Sequence, residues 1–179
     1  METKQQSIFS VGAFGAIRPM KNQLIQAVAA IEYGEETEQI IHFHVNADRQ
    51  EQAGDNVYKN LRALFAGTIH KLIDHPWMNY KEFIQVVKTM DIGLQVSMSE
   101  TFNIVAADFI ANDVPFIGSK DITWLPDIFK ADPGSSQDIL KKMRMIMDTK
   151  DFGLYRFNKI YLEWFNRESK KIWRDYLSI

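Results

Sequence analysis

The chain contains no cysteine. Disulfides, a thiolate nucleophile and cysteine-ligated metal are therefore excluded. No apolar run approaches the roughly 18 residues that a membrane-spanning helix needs. The N-terminus lacks a basic stretch followed by an apolar core, so no signal peptide is visible. An excess of one charge sign is also lacking: the formal net charge is -2, with no long basic cluster, which removes the electrostatic basis for nucleic-acid binding. Two short motifs are missing as well. There is no Gly-x-Ser-x-Gly elbow for nucleophilic catalysis and no Gly-x-Gly-x-x-Gly after the first strand for a dinucleotide. These absences predict a cytoplasmic protein, at most peripheral to a membrane.

What remains is a composition suited to a compact domain, with 46% hydrophobic and 25% charged residues. Strand-like and helix-like segments alternate. Ile8–Phe14, Gln39–Val45, Lys71–Ile73, Asp91–Val96 and Val114–Gly118 read as strands. Helices are expected at Gln23–Ile31, near Asp55–Phe65, near Asn79–Met90 and at about Asn103–Ala111. Val57, Leu61 and Leu64, then Phe83, Val86, Val87 and Met90, repeat at spacings of three and four, as core-facing helical stripes do. The pattern predicts an α/β fold, a Rossmann-like doubly wound parallel sheet with helices on both faces. Residues 1–179 are expected to form one domain, with a polar lead-in at 1–6 and a helical tail at 135–179.

The most informative stretch is Ser97-Met-Ser-Glu-Thr-Phe-Asn-Ile-Val-Ala-Ala-Asp108, which opens a helix between two parallel strands. That position is the carboxyl edge of the sheet. A helix N-terminus there offers unpaired N–H groups and partial positive charge to an anion, a diphosphate being the natural guest. Asp108 lies about 9 Å along the helix from the end that Glu100 precedes, at roughly 1.5 Å per residue. The two carboxylates therefore suit hydroxyls at opposite ends of a ligand rather than one acid/base pair. A plainer role also exists for each, Glu100 as a surface acid favoured near a helix N-terminus and Asp108 as a solvated helix residue.

A second anion-binding signal lies at Gly15-Ala-Ile-Arg-Pro-Met-Lys-Asn22. Arg18 and Lys21 flank the expected start of a helix, with Pro19 at its first position. Cations there oppose the helix dipole, and a bound anion would explain them. Both read equally well as solvated loop cations.

Gly12-x-x-Gly15 with Arg18-Pro-Met-Lys-Asn22, then Ser99-Glu-Thr-Phe-Asn-Ile-Val-Ala-Ala-Asp108 and Val114-Pro-Phe-Ile-Gly-Ser119, resembles the C-terminal donor-binding domain of retaining GT-B glycosyltransferases, the glycosyl transferases group 1 family. The similarity runs from about Ile8 to Asp148. It implies one half of a GT-B fold that binds a nucleotide-diphospho-sugar, such as a UDP- or GDP-sugar, with no further cofactor. It implies catalytic contributions from Glu100, Lys21 and Arg18. Carried over, Glu100 meets the sugar hydroxyls, Asp108 holds the ribose, and the Phe102, Asn103 and Ile104 amides face the phosphate or the sugar. Gly15, Thr101 and Val105 complete the expected binding set, and Trp77 stands where relatives receive the base, an aromatic able to stack on it. No two aspartates are separated by a single residue, so the paired-acid metal motif of metal-dependent sugar transferases is missing, and no metal site is expected.

Three positions depart from the pattern. The second acid is usually Glu and is Asp108 here, one methylene shorter. The usual spacing of the basic pair puts Ala16 where the arginine is expected. Relatives often carry Gly where Asn103 stands, and a side chain there either narrows the approach to phosphate or caps the helix.

GT-B enzymes consist of two Rossmann-like domains, and 179 residues make only one. The expected partners are accordingly a nucleotide-sugar and a separate N-terminal acceptor domain, or self-association. A non-catalytic nucleotide-sugar-binding or assembly module is the alternative. The tail carries two stripes, Ile139, Leu140, Met143, Ile146 and Met147, and then Leu154, Phe157, Tyr161, Trp164 and Phe165. Core packing is the favoured role for its aromatics, while the resemblance implies a last helix that packs against the other domain and leaves some of Trp164, Trp173 and Tyr176 without that partner. Lys159, Arg167, Lys170, Lys171 and Arg174 interleave with them, which leaves membrane-surface contact and self-association as other roles. His42 and His44 point to one face of a strand but form an incomplete metal site.

Overall fold

The computed structural model describes residues 6–177, so most of the polar lead-in lies outside the described residues. The strands are β1 (Ile8–Ile17), β2 (Ile40–Gln50), β3 (Lys71–Asp74), β4 (Ile92–Gln95), β5 (Phe116–Ser119) and β6 (Lys130–Ala131). The helices are α1 (Gln23–Thr37), α2 (Gly54–Phe65), α3 (Tyr80–Val87), α4 (Ile104–Ala111), α5 (Ser136–Asp148) and α6 (Phe157–Leu177). Among the described residues the strands form one six-stranded sheet ordered β3-β2-β1-β4-β5-β6, and every pairing is parallel. This is the doubly wound arrangement expected from the sequence.

The order turns around at β1 and β4. Right-handed crossovers then place α1 and α2 on one face and α3 and α4 on the other. The packing agrees: α1 contacts α2 and α5, whereas α4 contacts α3 and α6. All four residues of β4 and of β5 are buried, which is why both strands read as largely apolar runs, each ending in one polar residue, Gln95 or Ser119. Gly12 and Gly93 sit side by side on β1 and β4. A Cβ at either would lie 2.7 or 2.6 Å from the Phe109 ring. Phe109 of α4 occupies that bare strip, stacked on Phe14 with ring centroids 5.9 Å apart, and so draws α4 close against the sheet.

Several boundaries differ from expectation. β1 continues past Phe14 because, after a register break between Gly12 and Ala16, it keeps pairing with β2 through Ala16 and Ile17. Pro19 opens a 3-10 turn, Pro19–Lys21, and is not the first residue of α1, which begins beyond the left-handed Asn22 (φ 58°). The short strand β6 was not expected.

The tail is helical, as expected, but core packing holds only for its first part. Ile139, Leu140, Met143 and Ile146 of α5 are buried, whereas Trp164, Trp173 and Tyr176 of α6 are 55, 62 and 78% exposed. Every residue from Lys170 to Leu177 is exposed, because α6 outruns the body that supports its first half. Among the described residues no helix is long and apolar enough to cross a membrane.

Candidate functional site

The β1–α1 and β4–α4 turns meet at the carboxyl edge of the sheet, where the strand order reverses and ligands of such sheets bind. Met98 N–H donates to the Met20 carbonyl at 2.8 Å, which joins the turns directly. Around this link runs a network of buried amide side chains. Asn22 donates to the Val96 carbonyl (3.0 Å) and the Pro133 carbonyl (2.8 Å). Gln26 accepts from Val96 N–H (3.0 Å) and donates to the Lys21 carbonyl (2.8 Å). Gln95 donates to the Phe14 carbonyl (2.7 Å) and accepts from Asn103 (3.2 Å). Low surrounding polarity strengthens such bonds and penalises breaking them, so the two turns are held as one unit. None of Asn22, Gln26 or Gln95 was singled out from the sequence. The available signal was a polar amide inside otherwise apolar stretches such as Ile92-Gly-Leu-Gln-Val96.

Asn103 resolves the third departure noted above. It is the N-cap of α4, in a left-handed conformation (φ 57°), and its side chain accepts from Ala106 N–H at 2.9 Å. Phe102 turns away from the helix end. Its ring stacks on Phe165 of α6 at 5.9 Å, and its carbonyl accepts from Trp124 Nε1 at 2.7 Å.

Beside the turns lies a crevice of about 410 Å³ lined by Gly15, Ala16, Asn46, Arg49, Trp77, Met78, Tyr80, Phe83, Ile104 and Val105. Four of the expected site residues, Gly15, Trp77, Ile104 and Val105, are brought together there. Gly15 has φ +104°, a region side chains rarely adopt, and its N–H donates to Asn46 Oδ1 at 3.2 Å. Trp77 is 71% exposed on the wall, with its backbone held by Asp48 Oδ2 at 3.0 Å. Asn46 and Arg49 are additions the sequence did not single out.

Arg18, Lys21, Glu100, Thr101, Phe102, Asn103 and Asp108 are not among the lining residues. Lys21 Nζ donates to Glu100 Oε1 at 2.5 Å, with both side chains largely buried. Arg18 lies 3.5 Å from Glu51, which also accepts from Arg49 at 2.7 Å. Carboxylates of the protein thus stand beside a bound anion as an explanation of these cations. Glu100 and Glu51 supply opposite charge from distant parts of the chain; Arg18 precedes the 3-10 turn, and Lys21 ends it just before Asn22, the N-cap of α1. Asp108 stands at the crevice rim, where Tyr80 Oη donates to its Oδ1 at 3.1 Å. Burial raises the Asp108 pKa against the lowering effect of that hydrogen bond, and the Asp108 charge raises that of Tyr80.

The His42 and His44 rings lie near each other, 6.3 Å between centroids, but the hydrogen bond of His44 runs elsewhere. His44 Nδ1 lies 2.8 Å from His75 Nε2, the rings stacked at 5.1 Å. Among the described residues no three groups are placed to hold a metal ion. Burial lowers the His44 pKa from 6.5 to about 4, with His75 and His42 adding to the effect. A base whose folded pKa is depressed binds more protons when unfolded, so stability falls as pH drops from 6.5 toward 4. The expected loss from this group is at most about 1.4 kcal/mol per pH unit. Urea unfolding at pH 7.5 and pH 5 measures it, and His44→Gln is expected to flatten the difference.

No family model and no curated protein matches the chain. Solved structures do. The C-terminal domain of a glycosyl transferase group 1 family protein (LpcC) from Francisella tularensis superposes with TM-score 0.72 at 22% identity, covering 89% of this chain and 86% of that one. HepE from Anabaena in complex with UDP gives TM-score 0.75 at 16% identity, over 97% of this chain and 50% of that one. The catalytic domain of cholesterol-alpha-glucosyltransferase from Helicobacter pylori gives 0.66 at 15%, over 87% and 95%. The chain thus spans half the length of HepE. At these identities the likeness establishes the fold, which is that of one half of a GT-B protein.

Proposed function

We propose that this chain is the donor-binding half of a retaining, metal-independent glycosyltransferase, holding a nucleotide-diphospho-sugar at the joined turns. The observation that carries this reading is the fusion of the β1–α1 and β4–α4 turns beside an aromatic-walled crevice. The base and ribose occupy the crevice against Trp77. The diphosphate lies toward the α4 N-terminus, and the sugar lies toward Lys21 and Glu100. Preorganised amides and a cation stabilise the charge that develops on the leaving diphosphate.

The acceptor site belongs to a second domain, which the free aromatic face of α6 fits as a docking surface. That same face supports the alternative, a non-catalytic assembly module. Calorimetry with UDP, GDP and ADP tests donor binding, and transfer and hydrolysis assays follow with the corresponding sugar nucleotides. Binding of one nucleotide, with weak turnover that rises when an acceptor domain is added, is the expected result. Binding with no turnover in that mixture would establish the module instead.

A further inference from the structure

Tyr80 and Asp108 meet across the mouth of the crevice from two different helices. Tyr80 is the first residue of α3 and its backbone is fixed by a reciprocal cap, in which Asn79 Oδ1 accepts from Glu82 N–H and Glu82 Oε2 accepts from Asn79 N–H, each at 3.1 Å. Tyr80 is 67% exposed, yet its hydroxyl is committed to Asp108 Oδ1 at 3.1 Å. On α4, Asp108 follows Ile104 and Val105 by four and three residues, the spacing that puts all three on one helix face. Ile104, Val105 and Tyr80 all line the crevice. Asp108 therefore faces its mouth. A carboxylate has about four acceptor sites, and among the described residues Tyr80 is the side chain that fills one of them.

An exposed hydrogen bond of this kind adds little to stability, so its placement calls for another explanation. We propose that Tyr80 is a specificity-determining residue, its phenolic oxygen and Asp108 Oδ2 forming a paired acceptor that selects the vicinal hydroxyls of a ribose over a 2′-deoxyribose. This rests on the donor-binding reading above. A vicinal diol presents two O–H donors and needs two neighbouring acceptors. Asp108 alone has a short side chain, with one acceptor site of Oδ1 already taken by Tyr80. Tyr80, having donated its proton to Oδ1, keeps its oxygen lone pairs for the second hydroxyl and extends the acceptor pair into the crevice. Removal of the 2′-hydroxyl leaves one acceptor without a partner.

The test is calorimetry of the full chain with UDP, ADP and GDP and with their 2′-deoxy forms. The wild-type protein is expected to favour the ribonucleotide by about tenfold, the scale of one net hydrogen bond. Tyr80→Phe is expected to reduce that ratio to about twofold by weakening ribonucleotide binding alone. Thermal unfolding checks that the variant is folded. The Tyr80→Phe/Asp108→Glu double variant is expected to recover the preference, because the added methylene replaces the lost reach. A ratio unchanged in Tyr80→Phe, with nucleotide still bound, overturns this role and leaves the donor reading intact. Absence of binding by all three ribonucleotides to the wild-type chain overturns both.

Discussion

Lys21→Ala is expected to weaken nucleotide-diphosphate binding by about two orders of magnitude. The Lys21 and Glu100 side chains are only 14 and 6% exposed and lie 2.5 Å apart. Truncating one partner of a buried charge pair typically costs about 2–5 kcal/mol, much of it from the charge left behind, and about 1.4 kcal/mol corresponds to tenfold in affinity. In the variant, Glu100 is left beside the proposed donor site as an unpaired anion, so lost attraction and new repulsion act together. Stability falls too, and this confounds a single measurement. Lys21→Ala/Glu100→Gln separates the two effects, because it removes the orphaned charge. Its melting temperature is expected to recover while nucleotide affinity, read by calorimetry, stays low. Recovery of affinity alongside stability would make Lys21 a structural partner of Glu100 and nothing more.

Phe109→Ala is expected to lower unfolding free energy by about 3–5 kcal/mol, the usual cost of emptying a fully buried aromatic position. The ring has no exposed surface. It fills the strip left by Gly12 and Gly93 and touches both Phe14 and Phe116, with centroids 5.9 and 6.0 Å away. Two glycines cannot reach across the resulting void, and close-packed surroundings relax only in part. Urea titration followed by circular dichroism gives the value. A loss below about 1 kcal/mol would mean that α4 collapses onto the sheet without the ring, contrary to the usual cost of such a cavity.

The sheet was legible because β4 and β5 are buried along their whole length, and buried parallel strands leave apolar runs that need no partner to be recognised. The helix at Ile104 was legible for a local reason, since Asn103 and the residues it caps are adjacent in sequence. What failed was tertiary. Arg18 and Lys21 carried no sign of Glu51 and Glu100, which come from other turns. Gln26 and Gln95 gave no hint that their amides stitch those turns together. In α6, periodicity told which residues share a face but not what covers it. Core packing, the role favoured for the tail's aromatics, ends before Trp164 and Trp173, which the resemblance had left open as residues without a partner. β1 was cut short at Phe14 because Gly15 reads as a turn, whereas a bulge keeps the strand in pairing.

The position of β1 has a kinetic consequence. Within the chain β1 is made before the strands on either side of it, and β2 follows closely enough to pair with it. Its other neighbour arrives much later: Asp91, which bonds to Ser10, lies 81 positions downstream. At about 5–20 residues per second of synthesis, the nascent sheet carries an open, largely apolar edge for roughly 4–16 s. Such an edge is a template for pairing with other chains, so the waiting half-sheet is the species most exposed to aggregation and the one on which a chaperone would act.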